Sequence, residues 1–255
     1  MQKNIKIILP VIFVVTALFS SCHKKKDDPT PAGSSNNNNN NNNVSTSTTG
    51  SYLPLTKGNV WNYTTVSNPA GDYTYSSTVP GGTKVFNGKT YSVLIDVLST
   101  DPTTSDSTYA YQDGNKYYSY APQTPTGGGA LELKLIDLDL PIGTSWSTSY
   151  PANQYTNDTY TFKVTATGLT RTVNNINYTD VISVDLTTTV ALSSSYIALL
   201  ESSGLDASDI ALVEAEYGGG TSITQTTYYA KNVGVIEQTS STGGLAIQLV
   251  SSTIK

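Results

Sequence analysis

Side chains that can titrate, attack or ligate are few in this chain. It holds one histidine, His23, and one cysteine, Cys22, within 255 residues. Everything after residue 50 must therefore work without imidazole or thiol. A Ser-His-Asp arrangement, a histidine general base, a Cys/His zinc site and thiol catalysis are excluded from that region on residue type alone. Carboxylates remain. Asp137 and Asp139 lie two apart, on one face of a strand, and Glu214 and Glu216 share a face if extended. Glycoside hydrolysis needs two carboxylates at a set separation, but pairs with this spacing are more often solvent-facing charges. No Asp-x-Asp-x-Asp-Gly calcium loop occurs. Neither Gly127-Gly128-Gly129 nor Gly218-Gly219-Gly220 is followed by the Lys-Ser/Thr of a phosphate-binding P-loop. The expectation is a non-enzyme, with no catalytic residue, cofactor or metal.

The one cysteine has another use. Lys3 and Lys6 precede an apolar run from Ile7 to Phe19, broken only by Pro10 and Thr16. That run is shorter than the roughly 20 residues of a spanning helix, and residues 1–21 read as a signal peptide. Ser20-Ser21 then supplies the small pair before Cys22, with Phe19 where a lipobox usually has an aliphatic residue. Cys22 is the expected lipidation site, and its acyl chains the expected membrane anchor, each buried CH₂ contributing about 0.8 kcal/mol. A chain with one cysteine has no internal disulfide to lose by this.

His23-Lys24-Lys25-Lys26-Asp27-Asp28 resembles the surface-export signal of Bacteroidota lipoproteins, a lysine followed by two acidic residues just after the acylated cysteine. Lys26, Asp27 and Asp28 fill those places. The resemblance implies the outer membrane and its exterior face; a plain charge run beside the headgroups is the alternative. The tether runs over residues 22–50, and from Pro29 to Gly50 it is mostly Pro, Gly, Ser, Thr and an unbroken run from Asn36 to Asn43. Such a segment buries no apolar surface and reads as a disordered tether with a reach of roughly 30 Å.

Residues 51–255 carry all eighteen tyrosines, 17 acidic and 9 basic residues, and hence a net charge of about −8. That balance argues against nucleic acid as a partner. Period-2 alternation in Thr90–Val97, Asp158–Thr165 and Tyr178–Leu186 predicts half-buried antiparallel strands, and Asn87-Gly88 and Asp113-Gly114 predict hairpin turns. Between residues 196 and 216, Ile197, Leu199, Leu200, Ile210 and Val213 follow helical spacing, with Asp206 as an N-cap. One or two short helices belong there.

A weak internal duplication runs through this region. Leu53-Pro54-Leu55 leads to Trp61 as Leu140-Pro141-Ile142 leads to Trp146, and the Trp-to-Tyr gaps to Tyr91 and Tyr178 are 30 and 32 residues. Sub-repeats of about 51–125 and 138–255 follow from it. Both tryptophans read as core anchors whose indole N–H needs a partner if buried. The motifs Leu-Pro-x₃-Gly-x-x-Trp and Tyr228-Tyr229-Ala230-Lys231-Asn232-Val233-Gly234-Val235-Ile236 together resemble an uncharacterised family of exported bacterial β proteins. That resemblance implies a mainly β fold of strongly curved, half-barrel-like antiparallel sheets, and no activity. Asp106-Ser107-Thr108 resembles the short Asp-Ser/Thr-x glycosylation motif of Bacteroidota.

Three functions stay open at this point: a surface module binding glycan, a carrier for an apolar ligand, or a structural or adhesive surface component. The sequence names neither a ligand-binding residue nor an oligomeric state.

Overall fold

The computed structural model describes residues 50–66, 72–122, 130–217, 222–241 and 246–255. Cys22, Lys26, Asp27, Asp28, the tether and both triple-glycine segments lie outside the described residues.

Strands β1 (Val60–Val66), β2 (Thr74–Thr78), β3 (Thr83–Phe86), β4 (Lys89–Leu98), β5 (Asp101–Asp113), β6 (Lys116–Ala121) and β7 (Leu131–Asp137) form a first meander. A second comprises β8 (Ser145–Pro151), β9 (Thr156–Val173), β10 (Ile176–Leu192), β11 (Ser222–Ala230), β12 (Gly234–Ser240) and β13 (Ala246–Thr253). They make one antiparallel sheet, ordered β7-β6-β5-β4-β2-β1-β13-β12-β11-β10-β9-β8. Both β2 and β3 pair with β4, Thr78 opposite Ile95 and Thr83 opposite Ser92, so they are one strand broken at residues 79–82. The expected curved antiparallel sheets are present, and their curvature goes beyond a half-barrel. The first and last strands pair from Val60–Thr253 to Val66–Ala246, leaving one unpaired seam between β7 and β8 in a nearly closed barrel.

Local sequence explains the turns. Asn87 and Gly88 (φ 49° and 77°), like Asn174 and Asn175 (φ 49° and 65°), hold the two consecutive left-handed residues of a type I′ hairpin. Gly114 (φ 57°) alone is left-handed in its turn, as a II′ turn requires at its first central residue. The β4–β5 connection is short, whereas α1 (Ser194–Ser202) and α2 (Ala207–Glu216) occupy the place between β10 and β11. Asp206 caps α2 through the amides of Ser208 and Asp209, and Asp209 returns the interaction as a capping box. Neither helix buries a residue, and Leu199 and Leu212 are 57% and 72% exposed.

Alternation fills the interior. Leu131, Leu133 and Leu135 of β7 meet Tyr160, Phe162 and Val164 of β9 in one cluster, while Trp61, Tyr63, Tyr75, Ile247 and Leu249 anchor a second. Each tryptophan ties its own half of the chain to the other. The Trp61 indole donates to the Val233 carbonyl, and the Trp146 indole to the Lys134 carbonyl at 2.7 Å. The second bond crosses the seam from β8 to an edge carbonyl of β7, which has no strand partner on that side. Trp146→Phe keeps an aromatic ring but removes the indole donor and part of the ring, so it should cost about 1–3 kcal/mol and lower Tm by roughly 3–10 °C. Calorimetry on the variant checks this; an unchanged Tm would mean the seam does not depend on the indole.

Candidate functional site

The carboxylate pairs that the sequence offered do not become sites. Asp137 ends β7 almost fully buried and pairs with Lys134, whereas Asp139 points out of the following turn to Lys116 at 2.8 Å. Glu214 and Glu216 sit in α2, where residues two apart point in different directions. Two other features concentrate functional groups, one on each face of the strands β4 to β6.

The outward face carries an aromatic surface. Ala110, Tyr117 and Ala121 of β5 and β6 point into the core, so Tyr109, Tyr111, Tyr118 and Tyr120 must point outward by strand alternation. Tyr109 stands opposite Tyr120 and Tyr111 opposite Tyr118. Phe86 from β3 stacks on Tyr120 at 4.2 Å and meets Tyr109 edge-on at 4.9 Å, while Tyr91 from β4 contacts Tyr111 at 5.6 Å and Tyr120 at 5.4 Å. Tyr91 and Tyr120 are buried beneath this cluster, and Tyr109, Tyr111, Tyr118 and Phe86 keep part of their surface in solvent. The Tyr91 hydroxyl donates to Glu132 of β7, which also takes the Lys89 ammonium at 2.8 Å. Two strands separate β4 from β7, a gap of about 14 Å. The long Lys89 and Tyr91 side chains meet Glu132 across that gap. Burial first, then the bond to Glu132, raises the Tyr91 phenol well above its ordinary pKa. Lys89 lies 4.9 Å over the Tyr118 ring. The result is an aromatic surface edged by one ammonium and one carboxylate.

The inward face holds a small cavity of about 50 Å³ whose lining includes Trp61, Tyr63, Tyr75, Ser77, Asp96 and Thr108. Across it lie Thr227 and Gln238 of β11 and β12, bonded to each other at 3.1 Å. Asp96 is 8% exposed, and neither carboxylate oxygen has a hydrogen-bond partner among the described residues. Ser77 lies opposite it in register and favours the carboxylate, without closing a hydrogen bond to either oxygen. On its other side Asp96 faces Asp106 across the β4–β5 hairpin. Burial, with a smaller contribution from Asp106, pushes the Asp96 pKa up to about 7; burial also raises Asp106. Paired carboxylates with raised pKa values are what acid–base chemistry uses. This cavity, however, has room for only a few water-sized groups, too little for a sugar ring or a peptide bond with its flanks. Sequence reasoning missed the pair because Asp96 and Asp106 meet only once the hairpin register is known.

Asp96 also leaves a mark on stability. As pH rises, the unfolded chain releases this proton near pH 4 and the folded chain only near pH 7. The folded state therefore holds the extra proton between those values, and stability falls across that window before levelling above it. The cost at pH 8 is on the order of 4 kcal/mol at most. Asp96→Asn should match the parent near pH 4 and exceed its Tm at pH 8, as measured by calorimetry at both pH values; a variant less stable at pH 8 would contradict this placement of the carboxyl.

No helix among the described residues is long and apolar enough to cross a membrane. No protein-family profile and no curated protein matches the chain. Among solved structures, a candidate lipoprotein from Parabacteroides distasonis ATCC 8503 is similar over 80% of this chain and 99% of its own, with a TM-score of 0.47 and 12% identity. A candidate exported protein with a YmcC-like fold from Bacteroides fragilis NCTC 9343 also covers 80% of this chain and 99% of its own, with a TM-score of 0.45 and 10% identity. At this level of likeness neither carries a family, a ligand or an activity to this chain.

Proposed function

We propose that this chain is a lipid-anchored binding module of the bacterial surface that holds an extended glycan on the outer aromatic face of β3 to β6. The observation that carries the reading is the half-exposed ring cluster of Phe86, Tyr109, Tyr111 and Tyr118, supported from below by Tyr91 and Tyr120. Pyranose rings present C–H groups on their faces, and these carry a small positive charge that suits the negative face of an aromatic ring. Lys89 and Glu132 at one side supply a donor and an acceptor for hydroxyls. Three strand spacings give the surface a span of about 14 Å, the length of a short oligosaccharide. In this reading Cys22 is acylated, Lys26, Asp27 and Asp28 direct the chain outward, and the Asn-rich tether lets the domain search for polymer.

The cavity at Asp96, about 50 Å³, falls far short of the roughly 300–1,000 Å³ of pockets that enclose larger ligands, so that cavity has no room for an acyl chain. Catalysis is likewise not part of the proposal, because the Asp96–Asp106 pair faces a space too small for substrate.

Affinity electrophoresis through gels containing xylan, mixed-linkage β-glucan, galactomannan, arabinan or mucin tests the reading. At least one of these polymers should retard the parent, and Tyr109→Ala/Tyr118→Ala should lose about tenfold or more of that affinity, roughly 1.4 kcal/mol, while keeping its circular dichroism. Migration indifferent to all five polymers, or equal retardation of parent and variant, would sink it.

A further inference from the structure

We propose that the interior cavity is a second binding site, for a small primary ammonium group, with Asp96 as its anionic ligand. The site lies on the inward face of β4 and is separate from the glycan surface proposed for the outward face.

The first ground is the carboxylate itself. Asp96 lines the cavity, is more than nine-tenths buried, and has two oxygens without a hydrogen-bond partner among the described residues. A buried polar group left in that state costs several kcal/mol unless an occupant completes it. The second ground is charge. Asp106, directly opposite, adds a second carboxyl of the same sign. The ion pairs of the described residues involve Lys89, Lys116, Lys134, Lys163 and Arg171, and none of them is with Asp96 or Asp106. The groups facing Asp96 are Tyr63 from β1, Ser77 and Tyr75 from β2, Asp106 and Thr108 from β5, and the neutral Thr227 and Gln238 from β11 and β12. None is cationic, so an incoming cation meets no competitor.

The third ground is the wall. Tyr63 and Tyr75 stack at 5.0 Å and line the cavity together with Trp61. Aromatic faces attract ammonium groups electrostatically, most strongly where water is scarce. Two of the polar tips are directed elsewhere: the Trp61 indole donates to the Val233 carbonyl and the Tyr63 hydroxyl to the Val235 carbonyl at 3.2 Å. An ammonium carries three N–H donors; Asp96, Ser77 and Thr108 offer oxygens for them.

Size and access select the ligand. About 50 Å³ suits a methylammonium-sized head and not a quaternary ammonium. Among the described residues no set of three or more His, Cys, Asp or Glu gathers as a metal ion would need. Tyr63 and Tyr75 also line a groove of about 450 Å³ on the outside, with Asn62, Ser76, Leu98 and Pro102.

Titrating the full-length chain with methylammonium chloride, and following the ¹³C-labelled Asp96 carboxyl by NMR, tests the site. At pH 8 the resonance should shift saturably with a midpoint on the order of 1 mM; tetramethylammonium chloride and potassium chloride at equal ionic strength should produce no saturable shift. At pH 5.5, where Asp96 is mostly protonated, the midpoint should rise at least about tenfold. Methylammonium at saturation should in turn lower the Asp96 pKa, a readout that needs no variant. Asp96→Asn should abolish the stabilisation by methylammonium seen in calorimetry, and Tyr109→Ala/Tyr118→Ala should leave it intact. Absence of a saturable response at pH 8, an equal response to potassium, or undiminished stabilisation of Asp96→Asn would each overturn the proposal.

Discussion

Closure of the sheet rests on one pairing, that of β1 with β13. It brings residues 60–66 against residues 246–253 near the far end of the chain, and without it the two meanders would be open sheets with four exposed edges. Loop-closure entropy opposes such a distant contact. The ends of the chain add to it: Lys255 donates its backbone N–H to the side chain of Asn59, which is fully buried and bonded in turn to the Pro54 carbonyl. A register shift at Asn62/Tyr63 bends the pair where the barrel must curve. Trp61 and Tyr63 from β1 and Ile247 from β13 then become walls of the interior cavity. The opposite edges, β7 and β8, lack such a ladder, and an indole N–H takes the place of one of its bonds.

The same few strands serve two surfaces because strand alternation separates them. Along β5, Thr108 and Ala110 face inward while Tyr109 and Tyr111 face outward. A one-residue slip would exchange the faces and put rings in the cavity and Asp96 in solvent. The turns at Asn87-Gly88 and Gly114, whose left-handed residues have few alternatives, hold that register. Charged groups follow the same division. Lys89 and Glu132 satisfy each other on the outside, as Arg171 and Glu237 do with Tyr228 under the guanidinium at 3.6 Å. Asp96, with Asp106 opposite it, is left on the inward face without an ion-pair partner among the described residues.

Much of the fold could be read in advance because it is written locally. Asn87-Gly88 and Asp113-Gly114 fall at hairpins, Asp206 caps a helix, and both tryptophans have their indole N–H groups bonded to carbonyls. Closure was less legible, since no local pattern says that β1 will find β13 and turn half-barrels into a nearly closed one. The sites were less legible still. Thr90–Val97 reads as an ordinary alternating strand, and its aspartate as one more polar position, until Ser77 and Asp106 are known to flank it. The outward rings come from β3, β4, β5 and β6, and only the register sets them side by side. Tyrosines spaced two apart, at 109 and 111 and again at 118 and 120, were the one available signal that aromatic residues shared a face.

The claim that the outer face of β3 to β6 is the binding surface is tested most directly by ¹³C ring-labelling of tyrosine in the full-length chain. Because all eighteen tyrosines lie between residues 52 and 229, their ring resonances report on other faces of the domain as well as on this one. On addition of whichever soluble polysaccharide retards the chain most, the largest shifts should fall at Tyr109, Tyr111 and Tyr118, with smaller ones at Tyr91 and Tyr120 below. Shifts centred instead on Tyr155, Tyr196 and Tyr217 at the helices, or spread evenly over the domain, would contradict it.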